Sequence, residues 1–555
     1  MNSGLTPPAI VLCTLNARYI HASLGLRYLF ANMQELKSRT ILKEYTTAKA
    51  IQDIAQDLLE TLSETSTEGV QIIGFGVYIW NVEITTALVS LLKKLNPLLK
   101  IVLGGPEVSF ETEDQEIAKM ADHVITGWGD ISFPILCRAL LYGPRPLMKV
   151  IPGEQVPLKH LLLPYEYFTD EDIAHRILYV ESSRGCPFKC EFCLSSLDKT
   201  AQPFDLEAFL FEMQKLYERG ARHFKFVDRT FNLKIDVSIQ ILEFFLDKLT
   251  MDASNQPANL FVHFEVIPDH LPDRLKETIA KFPKGILQFE IGIQSFNEEV
   301  QKRISRKQDN VKTVNNLNWL INQTKAHLHT DLIFGLPGES WDSFALGFDK
   351  LYALDPDEIQ LGLLKRLRGT PISRHTISLE MVYDKRPPYA VQSTSEVSAQ
   401  EVIFFVRFSR YWDLISNSGR FRSTLKTLLM MPLPKSSSSN FSPFESFGHL
   451  SGWLWIRTEK TSGLSPEELV DALFFYLTQE RSFTPEEVRK ALLMDYVASG
   501  ARSMPEVLKG LLPKLRKRDA VKELPNTQRQ DRHQRNHGIS LDLNTIKKVP
   551  KQDWP

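Results

Sequence analysis

The chain is poor in cysteine and balanced in charge, and each shortage narrows what it can be. Five cysteines in 555 residues are too few for a disulfide framework and fit a reducing compartment. Met1 to Pro8 shows no basic patch running into an apolar core, and Ala9 to Leu15 is too short for a signal or a membrane span, so we expect a cytoplasmic protein with no membrane partner. Lysine and arginine number 66 against 67 acids, for a net charge of -1, and no long single-sign block crosses the part expected to be ordered. Capture of nucleic acid by bulk charge is therefore not indicated. What the chain does have is apolar material, 43% of its residues, enough for several cores, and a length that suggests several domains.

Three of the five cysteines fall in one stretch, Ser183-Arg184-Gly185-Cys186-Pro187-Phe188-Lys189-Cys190-Glu191-Phe192-Cys193. An iron-sulfur cube has four iron corners, usually held by four thiolates, and here only three are nearby. A zinc site would want a fourth nitrogen or sulfur ligand from a second pair, and neither Cys13 nor Cys137 comes as Cys-x-x-Cys. A metal cluster is the stronger reading. The spacing Cys186-x-x-x-Cys190-x-x-Cys193, with Phe192 just before the last cysteine, closely resembles the radical S-adenosylmethionine (SAM) superfamily. That resemblance implies a [4Fe-4S] cluster on Cys186, Cys190 and Cys193, with SAM chelating the fourth iron through its amino and carboxylate groups. It also implies one electron from an external flavodoxin- or ferredoxin-type donor and cleavage of SAM to methionine and a 5′-deoxyadenosyl radical, with the protein supplying position and exclusion of water.

Ahead of this loop, Ala9 to Leu15, Thr40 to Tyr45, Val70 to Val77, Lys100 to Leu103 and His123 to Ile125 read as strands separated by amphipathic helices, a pattern that predicts a doubly wound parallel sheet. Ligands of such sheets bind beyond the carboxyl ends of the strands, where Gly74, Gly76, Gly104-Gly105-Pro106 and Gly127-Trp128-Gly129-Asp130 lie. Standing directly before the cysteine motif, this flavodoxin-like domain resembles the cobalamin-binding domain of cobalamin-dependent radical SAM proteins. The resemblance implies cobalamin contacts at Thr14, Leu15, Gly76, Gly104, Gly105, Gly127 and Gly129. The first loop, Leu15 to Gly25, lacks the Asp-x-His-x-x-Gly pattern, so no histidine is expected beneath cobalt, and His21 reads as a helix-start residue.

Prolines 144, 146, 152, 157 and 164 predict a linker that interrupts any regular element. Six strand-like runs follow, Ile177 to Glu181, His223 to Asp228, Leu260 to Val266, Leu287 to Ile293, Thr330 to Phe334 and Ile359 to Leu364, which fit the family's partial (β/α) barrel with chemistry at the carboxyl ends. The resemblance implies SAM contacts from Phe192, Asp228, Thr230, Glu265, Gln294, Ser295, Arg306 and Gly335. Asp228 would accept from the ammonium or, with Asn232, cap the next helix; Gln294 and Ser295 suit ribose hydroxyls; Gly335 belongs to a turn beside adenine. Arg303 and Arg306 are candidates for the SAM carboxylate or else solvated surface. Glu290, Gly292 and Gln294 share one strand face and are expected to line the barrel. Glu339 reads as a helix cap, His327 and His329 as structural residues before their strand, and the cations of Lys365 to Arg368 as solvated.

Beyond Pro371 we expect a helical cap, with Arg407, Arg410, Tyr411 and Trp412 on an aromatic helix read as core or substrate contacts, and helix starts at Ser465-Pro466-Glu467-Glu468 and Thr484-Pro485-Glu486-Glu487. Pro432 to Pro443 reads as a mobile loop, and the Gln/Arg/Asn-rich tail from Asn526 as disordered. The expected domains are 1–143 (cobalamin), 144–172 (linker), 173–372 (barrel), 373–525 (helical) and 526–555 (tail). The resemblance implies an enzyme that methylates an unactivated carbon or phosphorus centre of a substrate the sequence does not name. The alternatives are a cobalamin-dependent rearrangement or cyclisation, and a non-catalytic corrinoid or redox sensor. A methylthiotransferase is disfavoured, since Cys13 and Cys137 alone cannot hold a second cluster.

Overall fold

The computed structural model describes residues 9–63, 69–251, 260–429, 442–499 and 505–511, together with Arg529 and Arg532. In the first domain, strands β1 (Ile10–Asn16), β2 (Thr40–Thr46), β3 (Ile72–Gly76), β4 (Lys100–Gly104), β5 (His123–Thr126) and β6 (Val150–Pro152) form one sheet in the order 2-1-3-4-5-6. Every pairing is parallel. β1 is buried at all seven positions, as its unbroken apolar run demands of a strand covered on both faces. Helices on the two faces bury separate apolar clusters, one containing Cys13 and the other Cys137. These two thiols are therefore on opposite sides of the sheet.

The sixth strand corrects the expectation of an irregular linker. Val124 donates to Lys149 O at 2.8 Å and Gly153 donates to Thr126 O at 2.7 Å, so 150–152 pairs with β5. Pro152 has no N–H to give, but an edge strand has one side free of that demand.

The second sheet is made of β7 (Leu178–Val180) and, after a two-stranded antiparallel pair formed by β8 (Ser183–Arg184) and β9 (Gln202–Pro203), of β10 (His223–Phe226), β11 (Phe261–Val266), β12 (Leu287–Gln294), β13 (His327–Phe334) and β14 (Glu358–Leu363). Its order is 14-13-12-11-10-7, all parallel, the open six-stranded barrel. β13 begins at His327, so both histidines lie inside the strand rather than before it. His327 Nε2 lies 3.0 Å from Glu358 Oε1 in a buried pair.

The helical region packs on the flank of the barrel. The helix Ala399–Ile415 buries Tyr411 and Trp412, and Trp412 Nε1 donates to Ile359 O of β14 at 2.9 Å. Phe348 and Phe447 close around Trp412, while Arg407 stacks 3.9 Å above Trp455. The helices Pro466–Phe475 and Pro485–Ala498 both open with capping boxes at Ser465 and Thr484, where the sequence placed them. Of the Pro/Ser stretch, only Ser442, which caps the helix Pro443–Thr458, and Pro443 are described. The tail reading likewise lies outside the described residues except at Arg529, which pairs with Glu358 at 3.2 Å and Asp413 at 2.9 Å, and Arg532, which donates to Ser418 O.

The two sheets face each other through the loops at their strand carboxyl ends. After β1, His21 forms a parallel bridge with Ile177, and its Nδ1 lies 2.7 Å from Tyr179 Oη. It stands two residues before the true helix cap, Ser23, and is thus a joint between sheets, not a helix start. After β4, Glu107 and Glu111 pair with Arg368 and Arg366 at 2.9–3.1 Å, and Tyr389 Oη donates to Glu107 at 2.5 Å. Of the cations after β14, Arg366 and Arg368 are bound to the first domain, where the solvated reading does not hold, while Lys365 is exposed.

Candidate active site

The cysteine loop leaves β7 and is shaped by its own backbone. Gly185 has φ +87°, and a Cβ there would lie 2.8 Å from Ala201 N. Only glycine fits such a turn without strain. Cys186 N donates to Asp198 O at 2.7 Å, and Ser196 Oγ ties the carbonyls of Cys190 (2.9 Å) and Cys193 (2.7 Å). Glu191 points away from the cysteines; its buried carboxylate receives Ser305 Oγ at 2.5 Å, His375 Nε2 at 2.9 Å and the Arg374 guanidinium. The loop is thereby fastened to segments after β12 and β14.

All three cysteines line one cavity of about 250 Å³ at the barrel mouth. Among the described residues no three His, Cys, Asp or Glu side chains converge on one point, as they would around a single ion. In a [4Fe-4S] cluster the irons are separate corners, each taking one thiolate. Burial pushes the Cys186 thiol up to about 11 and raises Cys190 as well, Arg306 opposing it. Arg306 Nη1 lies 3.6 Å from Cys190 Sγ, and its Nη2 donates to Gly292 O.

The rest of the cavity is polar and incompletely satisfied. Phe192, Thr230, Glu265, Gln294 and Arg306 line it, as expected, and so do Glu290 and Gly292 on the face of β12 that strand alternation assigned to the barrel interior. Gln294 ends β12 with φ +70° beside a register shift, a conformation that non-glycine residues rarely adopt. Among the described residues its Oε1 is buried without a hydrogen-bond partner, and Asp331 Oδ1 makes no hydrogen bond, with His329 Nε2 3.4 Å away. An unsatisfied buried acceptor in a cavity that also holds three thiols fits a ligand bearing hydroxyl or ammonium donors. Burial opposes ionisation of Glu290, but His263, 3.1 Å away, and Lys225 hold it low, whereas burial together with Glu290 and Glu265 drives Asp331 upward. Asp331 and Arg229, the latter paired with Glu265 at 2.6 Å, were missed; Asp331 was detectable as a carboxylate inside an apolar strand.

Three expected SAM contacts are engaged elsewhere. Asp228 accepts from Ser182 N (2.9 Å), Ser182 Oγ (2.8 Å) and Ser183 Oγ (2.6 Å), which fixes the start of the cysteine loop. Ser295 Oγ donates to Glu339 at 2.5 Å, and the helix behind is capped by Ser340, so Glu339 is a buried partner and not a cap. Gly335 packs on Val391, where a Cβ would come within 2.6 Å. Neither Asp228 nor Asn232 caps a helix; Asn232 ties Ile267 and His270 of the next loop. Arg303 donates to Pro337 O and does not line the cavity.

A second cavity, of about 270 Å³, opens at the carboxyl ends of β3, β4 and β5. Gly76, Gly104, Gly105, Gly127 and Gly129 line it as expected, joined by Gly25, Gly74, Tyr78 and Trp128. At Gly105, with φ +108°, a Cβ would meet Val77 O at 2.5 Å. At Gly104 the nearest atom to a Cβ is 3.8 Å away, so a side chain there would occupy the cavity itself. A cradle bared of side chains in this way fits a large flat ligand. Thr14 and Leu15 do not reach it: Thr14 Oγ1 donates to Gly76 O at 2.8 Å, and Leu15 is buried with its carbonyl bound to Asn81.

Arg184 connects the cysteine loop to the glycine cavity. It lies two residues before Cys186 and lines the glycine cavity. Its guanidinium forks onto Asp130 at 2.8 and 3.2 Å and gives Nε to Glu181 at 2.7 Å. Tyr28 lies 4.3 Å below it and Trp128 5.1 Å. Trp128 Nε1 in turn reaches Asp198, whose carbonyl holds Cys186 N.

A parallel-sheet domain with a glycine cradle, set mouth to mouth on an open barrel with three cysteines at its first loop, defines a cobalamin-dependent radical SAM enzyme. The comparisons agree: residues 10–136 match the B12 binding domain, and 180–347 match the Radical SAM superfamily. The chain belongs to the radical SAM superfamily and carries an N-terminal B12-binding domain; its cofactors are a [4Fe-4S] cluster, SAM and cobalamin. Residues 378–551 match a family described only as a protein of unknown function, DUF4080. An uncharacterized methyltransferase of Pyrococcus horikoshii is 28% identical over 323 residues, covering 52% of this chain and 65% of that protein. The 2-(S-pantetheinyl)-carbapenam-3-carboxylate methyltransferase of Streptantibioticus cattleyicolor is 24% identical over 310 residues, 50% of this chain and 44% of that one. The chain thus spans less than two thirds of the length of either. In fold it is similar to the radical SAM methyltransferase TsrM of Kitasatospora setae (TM-score 0.51, 14% identity, 80% of this chain and 95% of that one) and to the cobalamin-dependent radical enzyme OxsB (0.57, 15%, 88% and 78%). Among the described residues no helix is long and apolar enough to cross a membrane.

Proposed function

We propose that the chain is a radical SAM methyltransferase that uses cobalamin to methylate an unactivated carbon or phosphorus centre, working in the cytoplasm with an external electron donor. The observation that carries this reading is the link between the two cavities: Arg184 lines the glycine cavity and stands two residues from the first cluster cysteine, and Trp128 of the same cavity reaches Asp198, whose carbonyl holds Cys186 N. A bound cluster supplies the electron that cleaves SAM, and a bound corrinoid carries the methyl group. The chain's residues hold and enclose them. Cys186, Cys190 and Cys193 take three irons and leave the fourth to SAM. Gln294, Thr230 and the Arg229–Glu265 pair hold SAM's polar groups, and Arg306 places a cation beside Cys190. The docked first domain covers the barrel mouth and keeps water from the reacting centre. An adjoining cavity of about 250 Å³, sharing Phe192, Gln294 and Asp331 and walled by Leu332, Leu363, Leu364 and Lys365, offers the substrate a mainly apolar approach. Two of the curated relatives are named methyltransferases, which supports transfer over rearrangement.

The test is anaerobic reconstitution with iron, sulfide and hydroxocobalamin, desalting, and mass spectrometry after adding SAM and reductant. Retained cobalamin with both 5′-deoxyadenosine and S-adenosylhomocysteine supports radical methyl transfer. Deoxyadenosine without S-adenosylhomocysteine refutes it and favours rearrangement.

A further inference from the structure

A third cavity, of about 850 Å³, opens on the side of the cysteine loop away from the glycine cradle. Its floor is built from the residues between the first two cysteines, Pro187, Phe188 and Lys189, and its far wall from the segment after the helix Glu298–Arg303. Phe188, Arg306, Lys307 and Gln308 line both this groove and the cysteine cavity, so the two are separated by a wall one residue thick. The chemistry sets a requirement that a surface this close to the cysteines meets. Each SAM cleavage consumes an electron that comes from outside the chain, yet the barrel mouth is covered by the first domain through the Arg184–Asp130, Arg368–Glu107 and Arg366–Glu111 pairs.

The groove also carries the right surface for a transient protein partner. Its centre is apolar, with Phe188 half-buried, Pro187 exposed and Val311 70% exposed. Its rim is positive: Lys189 and Lys307 are exposed and have no carboxylate partner among the described residues. Lys302 is held only by Glu299, an exposed pair one helical turn away. Of the two acids on the rim, Asp309 is occupied in capping the next helix through Val311 N and Lys312 N and lies 3.6 Å from Lys312 Nζ, leaving Glu298 against the cations.

We infer that this groove is the docking site of an acidic one-electron carrier protein, which seats its redox centre against Phe188 and passes its electron across that wall to the cluster. The inference rests on the cluster assignment above. The step is a simple electron transfer: the carrier is oxidised by one electron, the cluster is reduced by one, and no bond or proton moves. Opposite charges would steer the encounter and make it sensitive to salt.

The experiment uses the full-length, cluster-reconstituted protein and follows cluster reduction by stopped-flow absorbance and electron paramagnetic resonance, not turnover. Reductants are a flavodoxin in its hydroquinone form and, separately, a photoreduced deazaflavin, which presents no protein surface. Lys189→Glu with Lys302→Glu should slow reduction by flavodoxin roughly tenfold or more and remove its salt dependence, while reduction by deazaflavin stays within about twofold of the unchanged protein. Lys302→Glu alone, which spares the cysteine loop and does not line the cysteine cavity, should act in the same direction by a smaller factor and guards against a cluster-assembly defect. Lys281→Glu, past the helix Asp273–Ala280 at the amino end of the barrel, should have no effect. Equal slowing by Lys281→Glu, or unchanged flavodoxin rates in both groove variants, overturns the docking site. No reduction by deazaflavin in the unchanged protein overturns the cluster assignment and the inference with it.

Discussion

Replacing Arg184 by glutamine should loosen two loops that are 54 residues apart in sequence, and by similar amounts. The guanidinium is 14% exposed, and the carboxylates it holds, Asp130 and Glu181, are 9% and 12% exposed. Removing one member of such a buried pair costs about 3–5 kcal/mol, because the remaining charges lose their partner without regaining water. Stacking on Tyr28 and Trp128 adds about 1 kcal/mol of lost cation–π attraction, although the two losses do not simply sum. We therefore expect local opening to become easier by about 4 kcal/mol, a hundred- to a thousandfold loss of protection where opening is local, on the usual scale of roughly 1.4 kcal/mol per tenfold. Hydrogen–deuterium exchange of the apoprotein reads this directly. Peptides spanning 123–132 and 183–198 should accelerate together, since Trp128–Asp198–Cys186 N carries the loss from one loop to the other.

The effect should also depend on pH. Burial raises Glu181, and Arg184 is the first influence opposing it, so the variant's Glu181 moves further up. An acid with a raised folded-state value binds its proton more tightly when folded. Its contribution is full below the unfolded value and is lost as pH rises through the raised folded one, so the penalty grows as pH rises above the ordinary carboxylate range. Acceleration of only one loop, a change below about threefold, or a penalty that shrinks with rising pH would refute the reasoning.

Three other outcomes follow from the same geometry. Cys190→Ser should leave the reconstituted protein without the broad visible absorbance of a [4Fe-4S] cluster and without 5′-deoxyadenosine formation, because two thiolates cannot secure a cube. Gly104→Leu should fold normally, its Cβ being 3.8 Å from the nearest atom, yet retain cobalamin at least ~10-fold less well on desalting, since the side chain fills the cradle. Burial lifts Asp228 from 3.8 to about 6 against the hydrogen bonds of Ser182 and Ser183. Its contribution, about 3 kcal/mol, is full below pH ~4 and is lost as pH rises through about 6. Thermal melts of the apoprotein should thus show Asp228→Asn flattening the decline between pH 4 and 7, and an unchanged slope would rule the account out.

Local pattern was enough for the two sheets and for the heart of the site. β1 announced itself because a strand covered on both faces is apolar along most of its length, and the glycines of β3, β4 and β5 because a ligand approaching backbone excludes side chains. Cys186, Cys190 and Cys193 were legible because a cluster sets their spacing within one loop. β6 was not, because a proline-containing edge strand is recognised only by the partner it pairs with. Asp228, Ser295 and Gly335 stand at strand ends where the sequence looked for ligands, but a strand end has several neighbours. Only the fold decided that Asp228 faces Ser182 and Ser183, Ser295 faces Glu339, and Gly335 packs on Val391.

The deepest divide lies between chemistry that is local in the chain and chemistry that is assembled across it. Cofactor identity was determined by the sequence, since a three-thiol loop and a glycine-punctuated βα domain each carry their ligand's demands within a short span. The use of the two cofactors together was settled only in three dimensions. Arg184 with Asp130, Trp128 with Asp198, and Arg368 with Glu107 are ion pairs and hydrogen bonds between charges far apart in sequence, and nothing in the periodicity of either segment encodes the partner. Those contacts tie the loops around the glycine cavity to those of the barrel, because a buried charge is tolerated only where folding brings its counterpart to it.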